Sequence, residues 1–321
     1  MQAKPPRAPV LAQLSDLDLR LLRVFITVAD CGGMAAAELE LAIGISSVSR
    51  HVKDLETRLG LVLCRRGRGG FALTPEGRQV YEEARRLFAA VDGFRGGIAQ
   101  LHGRLAGPLA FALFEKTASN PDSRIPQALA RFSALAPDVE LQLHIAGIHE
   151  IERGVLDGSY ALGVIPEHRL SQSLAYDDLF GERMQLYCGP GHPLWDDPRP
   201  TLDWTDVRSL PFVGLGYHSP NLAFAHQARL SRSASGDDQE AVALLLLSGR
   251  YVGFLPDHYA ADFVRQGRLR ALAPGRLVYD CRFVAIHRPN PEAGRSAALL
   301  RECLLQAHGL DSRERGHQLS A

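Results

Sequence analysis

The chain has 321 residues, with 46% hydrophobic and 22% charged residues and a formal net charge of zero. Those values suit a water-soluble chain of about two domains. They exclude a helical membrane protein, because no apolar run reaches about 18 residues. The charge is unevenly spread. Residues 1–104 hold 15 Lys and Arg against 11 Asp and Glu, and residues 105–321 hold 21 against 25. A basic end joined to an acidic remainder suits a DNA grip attached to a module of another kind.

The opening stretch, MQAKPPRAPVLAQ, is rich in proline and has no apolar signal core. It reads as a disordered tail over residues 1–15 and not as an export signal, so a cytoplasmic protein is expected. The first helix is expected from about Leu17 to Ala29. Leu21, Val24, Phe25 and Val28 recur at helical spacing, with Asp16 as cap. Cys31-Gly32-Gly33 ends it, and an Ala-rich helix follows from Met34 to about Leu41. A third helix runs from Ile45 to Leu59. Its apolar face is Val48, Val52, Leu55 and Leu59, and Gly60 stands at its C-cap. Two short helices around a tight Gly-containing turn make a helix-turn-helix pattern. Leu61–Cys64 and Phe71–Thr74 then read as two strands of a hairpin wing, with Arg65–Gly70 as its basic tip.

Thr74 and Pro75 begin a long helix as N-cap and first helical residue. Val80, Ala84, Leu87, Val91, Phe94, Ile98 and Leu101 alternate at spacings of four and three along it, a coiled-coil seam. That seam fits a dimerising helix or a helix docked on its own domain. Gly93, Gly96 and Gly97 should weaken it. From Gly107 strands and helices alternate, as in an α/β domain with a parallel sheet. Strands are expected at Leu109–Phe114, Val139–Ile145, Ala161–Ile165, Leu186–Gly189, Phe212–Leu215 and Tyr251–Leu255. Helices are expected at about Asp122–Ala136, Glu150–Leu156 and Asp237–Leu247.

Candidate DNA contacts lead the third helix. Ser46, Ser47 and Ser49 can bond phosphates or base edges, Arg50 can pair with guanine, and Lys53 can reach a phosphate. Arg65, Arg66 and Arg68 on the wing can approach the DNA backbone or minor groove. An ordinary exposed helix face and a basic loop without partner remain open. Ligand sites in α/β lobes lie past the carboxyl ends of strands. Here those ends offer Thr117, Ser119, Gly147, His149, Glu167, Tyr217 and Phe254. Thr117 and Ser119 at a helix N-terminus could hold a carboxylate, or could be plain caps. His149 could equally be a capping or surface histidine, and Tyr217 is evenly balanced between ligand contact and no such role.

The five cysteines, Cys31, Cys64, Cys188, Cys281 and Cys303, have no CxxC spacing and no nearby HxxxH. They read as small buried side chains and not as a disulfide framework or metal site, with a redox role left open. No cofactor or metal is expected. No hydrolase, zinc-protease or nucleotide-binding motif stands in the required context, so an enzyme is disfavoured. A solute-binding module that never touches DNA is the other alternative.

The stretches VSRHVKDLETRLG (Val48 to Gly60) and LCRRGRGGFALTPEG (Leu63 to Gly77) resemble the recognition helix, wing and linker-helix start of LysR-type transcriptional regulators. PDSRIPQALARFSALAPDVELQLH (Pro121 to His144), GHPL (Gly191 to Leu194) and SGRYVGFLPDHYA (Ser248 to Ala260) are similar to that family's effector domain. The resemblance spans about residues 17–305. It implies an all-α winged helix-turn-helix over 16–74 and a linker helix over 75–106. It also implies an α/β effector domain over 107–310 that is two-lobed like a periplasmic binding protein. Lobe I would take 107–183 and 281–310, and lobe II 184–280, with a flexible tail at 311–321. The implied partners are double-stranded DNA, a small-molecule effector between the lobes, further copies of the chain in a dimer or tetramer, and RNA polymerase. By resemblance Arg66 is the family's usual wing arginine. Two positions depart from the pattern. Gly44 and Ile45 stand where Ser or Thr and then Gln are usual, so Ile45 can offer a base only apolar contact, as to a thymine methyl. Glu38 and Leu39 stand near usual alanines.

Overall fold

A computed structural model describes residues 13–67, 70–101, 105–196, 202–289 and 294–310. The expected tails, residues 13–15 excepted, and Arg68 at the wing tip lie outside these. The chain divides into two compact units, residues 1–91 and 92–321.

In the first unit α1 spans Asp16–Asp30, α2 Met34–Leu41 and α3 Ile45–Leu59. The cap of α1 is Ser15 and not Asp16. Ser15 Oγ accepts from the Asp18 backbone N–H, while the Asp18 carboxylate accepts from the Ser15 N–H. The same carboxylate takes Arg58 of α3 in a two-pronged pair at 2.5 and 3.0 Å. Those hydrogen bonds hold Asp18 well below the usual carboxylate range, despite its burial. Leu21, Phe25, Leu55 and Leu63 form one core cluster, and Val28, Ala37, Val48 and Val52 another. Gly60 ends α3 at φ 68°, a backbone state natural to glycine.

The wing strands are β1 (Cys64–Gly67) and β2 (Gly70–Leu73), paired antiparallel. The first strand therefore begins later than the sequence suggests, and Arg65 and Arg66 lie in it. The Glu56 carboxylate accepts from the backbone N–H groups of Leu63 and Cys64, tying this approach to α3. The long helix α4 spans Pro75–Leu101. Thr74 Oγ1 accepts from the Gly77 N–H and donates to the Val62 carbonyl. A Cβ on Gly77 would stand 1.8 Å from the Leu63 carbonyl oxygen, so this helix start meets the wing without room for a side chain.

The expected seam of α4 divides in two. Val80, Ala84 and Leu87 pack on Leu21, Leu22 and Phe25 of the same chain, so for them the docked alternative holds. Phe94 is 70% and Ile98 43% exposed, and α4 stays helical through its glycines. The Leu101 side chain lies outside the described set.

The second unit contains β3 (Gly107–Leu113), α5 (Ile125–Leu135), β4 (Val139–Ile145), α6 (Ile148–Asp157), β5 (Leu162–Pro166) and β6 (Ala175–Cys188). There follow α7 (Trp204–Val207), β7 (Phe212–Leu215), α8 (Pro220–Gln227), β8 (Arg232–Gly236), α9 (Gln239–Leu247) and β9 (Val252–Pro256). The chain continues with α10 (Asp257–Arg265), β10 (Arg270–Ala271), β11 (Val278–His287) and α11 (Arg295–Ala307). The strand path is β4-β3-β5-β11-β6-β9-β7-β8, with β10 on β6. The outer strands pair in parallel, as suits βαβ units, while β6 and β11 run antiparallel to their neighbours.

Two sets of buried side chains line this path. One, from Leu109 to Phe180 and from Phe283 to Leu305, packs β3, β5, α5, α6 and α11. The other lies between Met184 and Tyr279 and fills both sides of β7 and β9. The long strands β6 and β11 pass from one lobe to the other. Asp177 of β6 anchors the first lobe. Its burial would raise its pKa, but the close His287 ring at 3.5 Å and two hydrogen bonds from Arg301 outweigh that and hold it well below the ordinary range.

Candidate DNA-reading face and interlobe cleft

Val48, Val52 and Leu55 turn one face of α3 inward at 0% exposure. The opposite face leaves Ile45, Ser46, Arg50 and Lys53 exposed, with Ser47 and Ser49 half-buried. Arg65 is exposed on β1, whereas the Arg66 side chain and Arg68 lie outside the described set. Gly44 gives α3 no side-chain cap. Glu38 of α2 supplies one instead: its Oε1 accepts from the Ile45 N–H at 3.1 Å. The two departures noted in the sequence are thus coupled. A carboxylate at this helix start also complements the helix dipole.

In the second unit the strand ends of the two lobes face each other. Behind β3, the Glu115 carboxylate accepts from the Gln239 N–H at 2.7 Å, at the start of α9. Burial pushes Glu115 up to about 7, against the opposing pull of that N–H and of Lys116. The Lys116 ammonium lies 3.3 Å from Glu240 and over the Tyr259 ring. Ser119 Oγ donates to the Lys116 carbonyl and meets His258 Nδ1 at 3.0 Å, while His258 Nε2 lies 2.9 Å from Glu182. The hydroxyl, imidazole and carboxylate follow the order of a hydrolytic triad. The Ser119 hydroxyl has a second acceptor within reach, the Lys116 carbonyl at 3.0 Å, and its role toward the ring follows the His258 tautomer.

The segment Thr117–Ser119 is a three-residue 3-10 turn, and Thr117 is buried. The amides of Ser119 and Asn120 are already bonded to Lys116 and Thr117 carbonyls. These two amides are thus spent within the turn. Gly147 caps α6 without a side chain, leaving that helix start open. Glu167 accepts from Arg282 at 2.6 Å.

Phe254 corrects an expectation. It is fully buried among Trp204, Phe212, Phe224 and Tyr279, in the core of the second lobe and not in the cleft. Its strand is apolar on both faces, and only packing decides which face each residue takes.

A group that the strand-end reading only half finds surrounds His149. His149 Nδ1 lies 3.4 Å from Glu152 Oε2, one turn along α6. His168, just past β5, places Nε2 3.6 Å from Glu152 Oε1. Arg169 donates to Glu152 at 3.1 Å. From the second lobe, the His218 ring comes within 5.4 Å of the His168 ring, and Tyr217 packs edge-on to His149 at 6.2 Å. Burial holds His168 below its ordinary value and raises Tyr217 above its own. The H-x-x-E spacing of His149 and Glu152 is a readable signal. Nothing local in the sequence joins them to His168 or His218.

All five cysteines are free thiols. Burial pushes Cys188 up to about 12 and raises Cys281 and Cys303, which disfavours the reactive thiolate in these three. No described helix is long and apolar enough to cross a membrane.

Residues 19–78 match the model for bacterial regulatory helix-turn-helix proteins of the lysR family, and residues 102–309 match the LysR substrate binding domain. The chain is 40% identical over 301 residues to the HTH-type transcriptional activator BauR of Pseudomonas aeruginosa, covering 94% of this chain and 97% of that one. It is 29% identical to the SDS degradation transcriptional activation protein of a Pseudomonas species, covering 90% and 95%. Among solved structures, full-length CbnR complexed with its target DNA aligns at TM-score 0.61 and 21% identity, covering 90% of this chain and 99% of that chain. A full-length OxyR variant from Pseudomonas aeruginosa aligns at 0.56 and 18%, covering 94% and 99%. At those identities the two structures speak for the fold.

Proposed function

The chain belongs to the LysR family, and from that premise we propose how its residues divide the work of a transcription regulator. It is a DNA-binding regulator whose activity a small-molecule effector modulates. We assign residues 16–74 to the DNA grip, 75–106 to the linker helix and 107–310 to the effector domain. In this reading α3 enters the major groove. Ser46, Ser47, Ser49 and Arg50 face base edges, Ile45 offers apolar contact to a thymine methyl, and Lys53 and Arg65 hold phosphates. The exposed end of α4, with Phe94 and Ile98, is covered by a second copy of the chain.

The observation that carries the reading is the split of α3. Its Val48, Val52 and Leu55 are wholly buried, Ile45, Ser46, Arg50 and Lys53 on the other side are exposed, and Glu38 secures its first turn. The effector sits where the lobes meet, near Ser119, Gly147, His149 and Tyr217. Binding there shifts the regulator by favouring one lobe arrangement over another. Relatives are named as regulators, and this reading needs no catalytic step.

The test is fluorescence anisotropy on DNA upstream of the protein's own gene and on a scrambled copy, over a salt series. A preference for the upstream DNA with a steep salt slope is expected. Equal, weak binding to both would overturn the assignment of α3.

A further inference from the structure

We propose that His149, Glu152 and His168 bind a divalent transition-metal ion of the zinc type, and that His218 from the second lobe completes its ligand set. The candidate ligand atoms of the first three residues already lie within 4.8 Å of one another. Tetrahedral zinc with ligands at 2.0–2.1 Å would bring such atoms to about 3.4 Å apart, a change that side-chain rotation supplies. His149 and Glu152 share one face of the first turn of α6, and β5 delivers His168 to the same point.

Independent support comes from the His168 ring. Its side chain is 0% exposed, and neither ring nitrogen has a hydrogen-bond partner among the described residues. Buried polar atoms are nearly always satisfied, so a wholly enclosed imidazole aimed at a buried carboxylate calls for a ligand. Glu152 supplies the counter-charge that a cation needs and an anion would meet as repulsion. Its Oε1 faces His168, while its Oε2 is held by Arg169, leaving Oε1 to the metal and Oε2 to an outer contact. Imidazole nitrogens with one carboxylate favour zinc, nickel or copper over magnesium or calcium. The exposed His218 ring stands close enough to His168 to swing in from the facing lobe.

The metal would thus tie the two lobes together. That regulatory consequence rests on the reading of the cleft as the effector site, whereas the binding itself does not. The test titrates zinc into chelator-stripped, full-length protein by calorimetry, with X-ray absorption at the zinc edge. One site per chain is expected, with histidine nitrogens at about 2.0–2.1 Å. His168→Gln and Glu152→Gln should each weaken binding tenfold or more, without lowering the melting temperature of the metal-free protein. His218→Ala should weaken it less. No binding tighter than about 100 µM, or unchanged affinity in both Gln variants, would overturn the proposal. Anisotropy on the upstream DNA with metal-free protein separates the two readings. DNA binding without zinc binding defeats only the metal site, and zinc binding without DNA binding defeats only the regulator assignment.

Discussion

In the DNA-binding unit, ionic groups work at the ends of elements. Asp18 serves its own helix cap and clasps Arg58, Glu38 caps the neighbouring helix, and Glu56 holds the approach to the wing. In the effector domain they stand inside the seam between two cores. Glu115, Glu152 and Glu182 each meet groups drawn from elsewhere in the sequence, and two of those meetings, Gln239 on Glu115 and His258 on Glu182, cross from one lobe to the other. The first arrangement fixes one geometry for a rigid object to be read against DNA. The second leaves charges whose balance changes when the lobes move, which is what a sensor requires.

The sharpest way to break the comparison is Gly77→Ala. Its Cβ would strike the Leu63 backbone, which cannot yield as a side-chain tip can. A loss of more than about 3 kcal/mol in the DNA-binding unit is expected, read by calorimetry as an early transition with the effector domain's own transition kept. A change confined to the effector domain would contradict the division. Next comes Arg301→Ala, which leaves the buried Asp177, among the described residues, with His287 at 3.5 Å as its charged neighbour. It should cost the effector domain about 3 kcal/mol and leave the DNA-binding unit untouched. Chemical denaturation followed at each unit would check it.

Glu38→Ala should cost about 1 kcal/mol, a typical cap contribution, and fray the start of α3. Amide exchange at Ile45 and Ser46 reads this directly. The smallest effect concerns pH. Glu115 is raised, so its contribution favours the folded form below the ordinary carboxylate value and is lost as pH climbs to about 7. Asp18 and Asp177 are lowered, so their contribution is present above the ordinary value and lost as pH falls through their folded values. The effector domain should therefore lose a little stability between about pH 4 and 7. Glu115→Gln should flatten that slope in melting curves, with Lys116, Asp238 and Glu182 still facing the site.

The same contrast explains what the sequence can tell. The bounds of α2 and α3 are legible because periodicity and glycine stops act within a few residues. The α4 seam is legible as a seam, but the same spacing serves Val80 against the chain's own α1 and leaves Phe94 exposed. The long strand β6 is legible only at its end, because Asp177, Glu182 and Gln185 interrupt the apolar pattern. Each is buried and satisfied by partners far along the chain: Arg301, His258 and the carbonyls of Leu272 and Leu277. His149 stands out as a strand-end residue, but His168 and His218 join it only through the fold. Phe254 is misplaced by a strand-end reading because burial on both faces of β9 erases the alternation that tells them apart.

The most direct test of the account is the affinity of Arg50→Ala for the upstream DNA, measured beside the unaltered protein at one salt concentration. A loss of about 1–3 kcal/mol on that DNA, with little change on the scrambled copy, is the predicted result. Unchanged affinity, or an equal loss on both DNAs, would contradict the claim that the open face of α3 reads sequence.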